Sequence, residues 1–222
     1  MPYRFLFGAS GAGKSHKLHQ AILTKAQESL RAFSDRNYLV IVPEQYTMQT
    51  QKDLVLASGS QGILNVDVRS FGRLSHRIFE EVGADHREVL NDIGKSLILQ
   101  RIASRASDDL PVIGSSLNRQ GYVAEVKSVI SEFMQYGLSP EDAGRLAEYA
   151  SGRGALHARL LDLQNLYSRF LNYIHDGFVT NEETLDLLAD AIPKSKLVAS
   201  SVLCFDGFTG FTPVQNRVIV QL

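Results

Sequence analysis

The chain has 222 residues, 44% apolar and 21% charged, with 23 Lys+Arg against 24 Asp+Glu and a formal net charge of −1. That balance argues against a broadly basic protein that coats nucleic acid, although it leaves room for a local basic groove. A single cysteine, Cys204, excludes an intrachain disulfide framework and fits a reducing cytosol. No apolar run approaches membrane-spanning length, so a cytoplasmic protein with no membrane partner is expected.

In chain order, Arg4–Phe7 predicts a short buried strand rather than a leader. It runs into Gly8-Ala9-Ser10-Gly11-Ala12-Gly13-Lys14-Ser15, which fits the phosphate-loop pattern G-x-x-x-x-G-K-[ST] at each fixed position. The pattern carries weight because a strand precedes it and a helix follows. Glycines let backbone N–H groups point into one concavity. Lys14 would reach the outer phosphates of a nucleotide, the Ser15 hydroxyl would ligate Mg2+, and the helix would aim its positive end at the same phosphates. All eight residues, Gly8 to Ser15, are candidate nucleotide-binding residues.

A helix is expected from Lys14 to about Phe33, with Leu18, Ile22, Ala26 and Leu30 on one face. Tyr38–Val42 is a continuous apolar run, as in a parallel strand covered on both faces. Pro43 ends it and a polar helix follows toward Ala57. Ile63–Val68 reads as a third strand, and Ser70 caps a helix carrying Phe71, Leu74, Ile78, Phe79 and Val82. Strand–helix alternation after a phosphate loop implies a parallel α/β sheet.

From about Asn91 to Ala191 the periodicity is helical. Ile93, Leu97, Ile98 and Ile102 form one stripe, and Val123, Val126, Ile130, Phe133 and Met134 another. A further helix carries Leu156, Leu160, Leu161, Tyr167, Phe170, Leu171 and Ile174. Ser139-Pro140 and Thr180–Glu183 read as helix starts. The expected layout is therefore a first part of an α/β core over 1–90, an all-helical insertion over 91–195, and a return to the core over 196–222. That return begins with the apolar strand Ser201–Asp206. Thr212-Pro213-Val214-Gln215 then starts a helix that has no stop signal, as in a piece of a longer chain.

Asp206, at the C-terminal end of its strand, would lie near the phosphate loop and complete the Mg2+ site with Ser15, its carboxylate holding the ion through water. An aspartate in an ordinary Asp206-Gly207 turn is the plainer alternative. Many ATP-hydrolysing motors place a glutamate directly after this aspartate. Gly207 stands there instead, and a hydrogen cannot position or activate water. Nucleotide binding is thus better supported than hydrolysis, and no catalytic residue is assigned.

Weaker signals remain open. Arg69, Arg73 and Arg77 form a basic edge that suits DNA phosphates, and equally a solvated face paired with Glu80 and Glu81. Gln45 and Tyr46 suit contact with single-stranded DNA or a plain strand-end loop. His16 and His19 lack partners at zinc-ligand spacing and are expected in solvent. Gly94-Lys95-Ser96 repeats the end of the phosphate-loop pattern, but Val89 stands where its first glycine should be. Cys204 is expected to act as a small apolar residue.

The stretch DGFTGFTPVQ, Asp206–Gln215, resembles the second motif of superfamily 1 helicases in degenerate form. Gly207 stands for its glutamate, Thr209 for its first glutamine and Gly210 for its second aspartate. LVIVPEQYTMQTQKDL (Leu39–Leu54) sits where helicase motif Ia follows strand two. VDVRSFGRLSHRIFEEVG (Val66–Gly83) and DIGKSLILQRI (Asp92–Ile102) agree as well. Together they resemble the N-terminal region of the AddB/RexB family, the B subunits of bacterial AddAB helicase–nucleases.

The resemblance implies a P-loop NTPase fold with a superfamily 1 helicase-like parallel sheet and a helical insertion. It implies ATP and Mg2+ as cofactors, and an A-subunit helicase–nuclease and DNA as partners. The implied task is processing of double-strand breaks for recombinational repair, with a degenerate motor that helps recognise the regulatory sequence Chi. An iron–sulfur cluster is implied only for a C-terminal nuclease domain outside this sequence. A P-loop small-molecule kinase, or a structural relic of a P-loop domain, are the alternatives.

Overall fold

The computed structural model describes residues 3–59, 62–83 and 87–222. The elements are α1 (Lys14–Arg31), β1 (Asn37–Ile41), α2 (Thr47–Ser58), β2 (Val66–Arg69), α3 (Phe71–Val82), β3 (Glu88–Leu90), α4 (Asp92–Arg105), α5 (Gln120–Gln135), α6 (Pro140–Tyr149), α7 (Gly154–Ile174), β4 (Phe178–Thr180), α8 (Asn181–Ala191), α9 (Lys196–Ala199), β5 (Ser201–Phe205) and α10 (Pro213–Gln221). The chain is α/β, mostly helical, with two small parallel sheets. No helix among the described residues is long and apolar enough to cross a membrane. Two compact units are present: Met1–Ala84 with Leu188–Phe211 and Ile219–Leu222, and Asp85–Leu187 with Thr212–Val218.

The first unit is built on a parallel sheet of order β2-β1-β5. β1 is its centre: Tyr38 pairs with Val66 and Val202, and Ile41 with Arg69 and Phe205. Leu39, Val40 and Ile41 are fully buried, as an uninterrupted apolar strand must be when both faces are covered. Each such side chain contributes about 1.5–3 kcal/mol of burial. Parallel pairing brings the C-terminal ends of all three strands to one edge, so the segments after Ile41, Arg69 and Phe205 emerge together.

The expected strand at Arg4–Phe7 is not formed. Residues 3–7 pair with no strand among the described residues, and Tyr3, Phe5 and Phe7 are 87%, 73% and 90% exposed. An apolar run favours burial, but a strand also needs a ladder partner. Among the described residues β5 pairs only with β1, and its other edge takes no strand. The buried face of α1 is His19, Ile22, Leu23 and Ala26 rather than the four-residue recurrence ending at Leu30, which is 41% exposed. A helix of 3.6 residues per turn drifts off any strict four-residue stripe within three turns.

The second unit has its own core, in which Leu99, Leu117, Ile130, Leu166 and Phe170 are almost wholly buried. It is not all helical: β3 and β4 form a two-stranded parallel sheet, Glu88 opposite Phe178 and Leu90 opposite Thr180. Three-residue strands are too short to carry a period of two. On α4 the core face is Ile98, Leu99, Ile102 and Ala103, while Ile93 and Leu97 are 72% and 60% exposed. The carboxylate of buried Asp162 accepts the Val112 and Ile113 N–H groups at 2.8 and 2.9 Å, tying the loop before α5 to α7. The helix starts read from sequence carry their caps. Ser139 and Asp142 make a reciprocal box on α6, Thr180 and Glu183 one on α8, and Thr212 and Gln215 one on α10.

Candidate functional site

Gly8–Gly13 forms an exposed loop leading into α1, whose first residues are Lys14 and Ser15. Gly11 and Gly13 both have φ of 76°, a left-handed backbone that would be unfavourable by about 1–2 kcal/mol for a residue with a Cβ. The Ala12 N–H closes the turn onto the Ala9 carbonyl at 3.2 Å. The Lys14 ammonium folds back and donates to the Gly8 and Ala9 carbonyls at 2.9 and 2.7 Å. It has three N–H donors, so one is left for another acceptor. The α1 N-terminus has no side-chain cap and no acidic residue in its first turn. Its first N–H groups, which have no carbonyl four residues back, face the loop without a protein acceptor from a cap.

Asp206 is fixed by the sheet: its N–H donates to the Ile41 carbonyl at 3.1 Å, one rung past the end of β5. Its carboxylate meets the loop. Ser15 Oγ donates to Asp206 Oδ1 at 2.9 Å across 191 residues of sequence. His19 Nε2 lies 3.6 Å from Asp206 Oδ2. His19 holds the Asp206 carboxyl below its ordinary range. The Ser15 hydroxyl and the Gly207 N–H act in the same direction, against burial, which raises it.

Two oxygens 2.9 Å apart suit a small hard cation. The edge of an octahedron with Mg–O distances of 2.0–2.1 Å is about 2.9 Å. No group of three His, Cys, Asp or Glu converges to cage a metal among the described residues. A Mg2+ ion here would draw its remaining ligands from water and phosphate, as it commonly does.

Gly207 follows with φ of 77°. A Cβ there would sit 3.4 Å from Tyr46 Cδ2 and 3.5 Å from Pro43 Cδ. Beyond it, Phe208 and Phe211 pack in a tilted pair with centroids 4.7 Å apart, and Phe71 joins Phe208 at 5.7 Å. Gln45 is exposed and Tyr46 is 48% exposed.

The arginine edge is spoken for within the chain. Arg69 Nε donates to Asp67 at 2.6 Å, Arg73 Nε to Glu44 at 3.2 Å, and Arg77 lies 3.7 Å from Glu80. Glu81 instead accepts from Ser195 Oγ and from the Lys196 and Leu197 N–H groups, fixing the start of α9. Ser70 Oγ caps α3, accepting from the Arg73 N–H, and donates to Glu44. Glu44 therefore links the end of β1 to the end of β2, a role that no local sequence signal announces. The Cys204 thiol is pushed up to about 11 by burial, as befits an unreactive strand residue.

His16 is exposed, whereas His19 is buried, contrary to the expectation of solvent exposure for both. A signal for its burial exists: His19 precedes Ile22, Leu23 and Ala26 at spacings of three, four and seven, the core side of a helix. Gly94-Lys95-Ser96 makes no phosphate loop. Lys95 is buried, and its ammonium donates to Glu182 Oε1 and Oε2 at 2.9 and 2.7 Å and to Ser131 Oγ at 3.2 Å.

The family described as "ADDB, N-terminal" matches residues 5–222. Three proteins, each named as the B subunit of an ATP-dependent helicase/deoxyribonuclease, align with the whole chain. That of Lachnoclostridium phytofermentans is 40% identical over 222 residues. Those of Clostridium tetani and Alkaliphilus metalliredigens are each 33% identical, over 224 and 222 residues. The chain spans 19% of the length of each of these relatives. With the family matched over nearly its full length, this chain belongs to the AddB N-terminal family.

Proposed function

We propose that this chain is the nucleotide-binding, degenerate helicase-like region of the B subunit of a helicase–nuclease that processes DNA double-strand breaks. Its partners in this reading are an A-subunit helicase–nuclease and DNA. The relatives' names support the complex. The chemistry rests on one observation: Ser15 and Asp206, 191 residues apart, meet at 2.9 Å beside a glycine loop that holds the Lys14 ammonium. In this reading the sheet β2-β1-β5, the loop and α1 form a P-loop NTPase core. Residues 1–90 and 196–222 contribute to that core and 91–195 are inserted into it.

Each residue then has a defined task. The loop N–H groups from Gly8 to Gly13 and the open end of α1 bind the phosphates of ATP. Lys14, pre-positioned by the Gly8 and Ala9 carbonyls, gives its free N–H to an outer phosphate. Ser15 and Asp206 would hold Mg2+, which would supply positive charge to the phosphates. Gly207 offers nothing to orient water, so the bound nucleotide persists and hydrolysis by this chain is negligible.

The test is nucleotide titration with and without Mg2+. Lys14→Ala is expected to weaken Mg·ATP binding by about 1.5–3 kcal/mol, the value of a charge-assisted hydrogen bond. Steady-state ATPase activity is expected to stay at background with or without DNA. Equal affinity in the variant would make the loop a relic. Transfer from ATP to a small acceptor would favour a kinase, and DNA-stimulated turnover would overturn the argument from Gly207.

A further inference from the structure

His19 lies on α1 one turn beyond Ser15 and is 8% exposed. Its Nε2 is buried and makes no hydrogen bond, yet it points at Asp206 Oδ2 from 3.6 Å. Buried ring nitrogens are normally paired, so an unpaired one aimed into a site calls for an explanation. The two oxygens of Asp206 have different company. Oδ1 accepts the Ser15 hydroxyl at 2.9 Å, while Oδ2 faces the His19 imidazole.

A cation here would take one lone pair of Ser15 Oγ, and the hydroxyl could still donate its proton to Oδ1, so that oxygen keeps its donor. The other carboxylate oxygen is the one that still needs steadying. His19 is the side chain in place to do so, because a shift of well under 1 Å brings Nε2 within hydrogen-bonding range of Oδ2. Carboxylate ligands of metals are themselves commonly held by a second hydrogen bond of this kind.

We propose that His19 is the positioning residue of the cation site, closing its Nε2–H onto Asp206 Oδ2 and keeping that carboxylate aimed into the loop. The assignment rests on the nucleotide-site reading above. His19 touches neither phosphate nor metal; it acts through Asp206. Its burial on the core face of α1 fixes the ring, so the donor is rigid where a surface side chain would wander.

The experiment compares the full chain with His19→Phe and His19→Gln. The readout is the gain in ATP affinity on adding Mg2+, which a merely structural role would leave unchanged. His19→Phe is expected to lower that gain about tenfold, and His19→Gln, which keeps an N–H near the Nε2 position, to restore most of it. An unchanged gain in folded His19→Phe, or a Gln variant as impaired as Phe, would overturn the proposal. Long-range 1H–15N spectra of the nucleotide-free protein supply a second measurement. The Nε2–H tautomer is expected, with its signal shifted in Asp206→Asn; an Nδ1–H tautomer would defeat the idea. With Mn2+ in place of Mg2+, a directly bonded 14N signal from His19 would make it a ligand and overturn the positioning role. Absence of any Mg2+-dependent ATP binding in the unsubstituted chain would remove the nucleotide reading, while the tautomer spectrum would still decide the His19–Asp206 contact.

Discussion

The chain contains Gly-Lys-Ser twice, at 13–15 and at 94–96, each at the start of a helix, and the two copies meet opposite fates. At the first, α1 begins with a left-handed glycine, no side-chain cap and no acid in its opening turn. At the second, Asn91 caps α4 by accepting the Gly94 N–H at 2.8 Å, and Asp92 supplies negative charge to the first turn. Lys14 stays near solvent on two loop carbonyls, whereas Lys95 is 2% exposed and locked against Glu182. Ser15 reaches across the fold to Asp206, while Ser96 merely donates to the Asp92 carbonyl in its own helix. The same three residues stay near solvent where the helix start carries no side-chain cap. Where a cap and a buried counter-ion are in place, they serve the core.

The comparison is broken most decisively by exchanging the lysines for an apolar chain. Lys95→Met strands the Glu182 carboxylate in the core and is expected to reduce stability by about 3–5 kcal/mol in urea unfolding. A compensating Glu182→Leu should recover most of that loss. Lys14→Met, at the other copy, should change stability by no more than about 0.5 kcal/mol. Similar losses at the two positions would erase the distinction.

A smaller effect sharpens the contrast in capping. Asn91→Ala should destabilise the chain by about 1 kcal/mol, seen as a lower urea midpoint at constant m-value. The α1 end has no side-chain cap to lose. A neutral Asn91→Ala would mean that the second helix start is as open as the first.

The smallest effect is one of pH. The Lys127 ammonium, donating to Asp92 Oδ2 at 2.7 Å, draws the Asp92 carboxyl below its usual 3.8. A lowered folded-state pKa stabilises above the unfolded value and is lost as pH falls through the folded one. The advantage of the unsubstituted chain over Asp92→Asn should therefore be full at about pH 6 and shrink once pH drops below about 3.8. A gap that grew on acidification would contradict the assigned contact. Asp92 is largely exposed, so the difference is expected to be small at any pH.

What can be read from the sequence follows a physical line. The central strand and the helix starts are legible because apolar runs and caps are local signals, and the approach of Asp206 to Ser15 because a parallel sheet brings its strand ends to one edge. Three features are not. Residues 3–7 are apolar but unpaired, and pairing depends on a partner that composition does not reveal. β3 and β4 hold three residues each, too few for a period. The burial of His19 is hidden by its polarity, since a residue type usually found in solvent masks the helical spacing that places it inside.

The backbone at Gly207 limits which side chains can follow Asp206. With φ at 77° and the Tyr46 ring close to where a Cβ would stand, this position has been committed to a shape that acidic residues rarely adopt. A glutamate there would have to hold a left-handed backbone, while its Cβ would make only ordinary van der Waals contact with Tyr46 and Pro43. A carboxylate placed directly after Asp206 would therefore come with backbone strain of about 1–2 kcal/mol, whatever its neighbours.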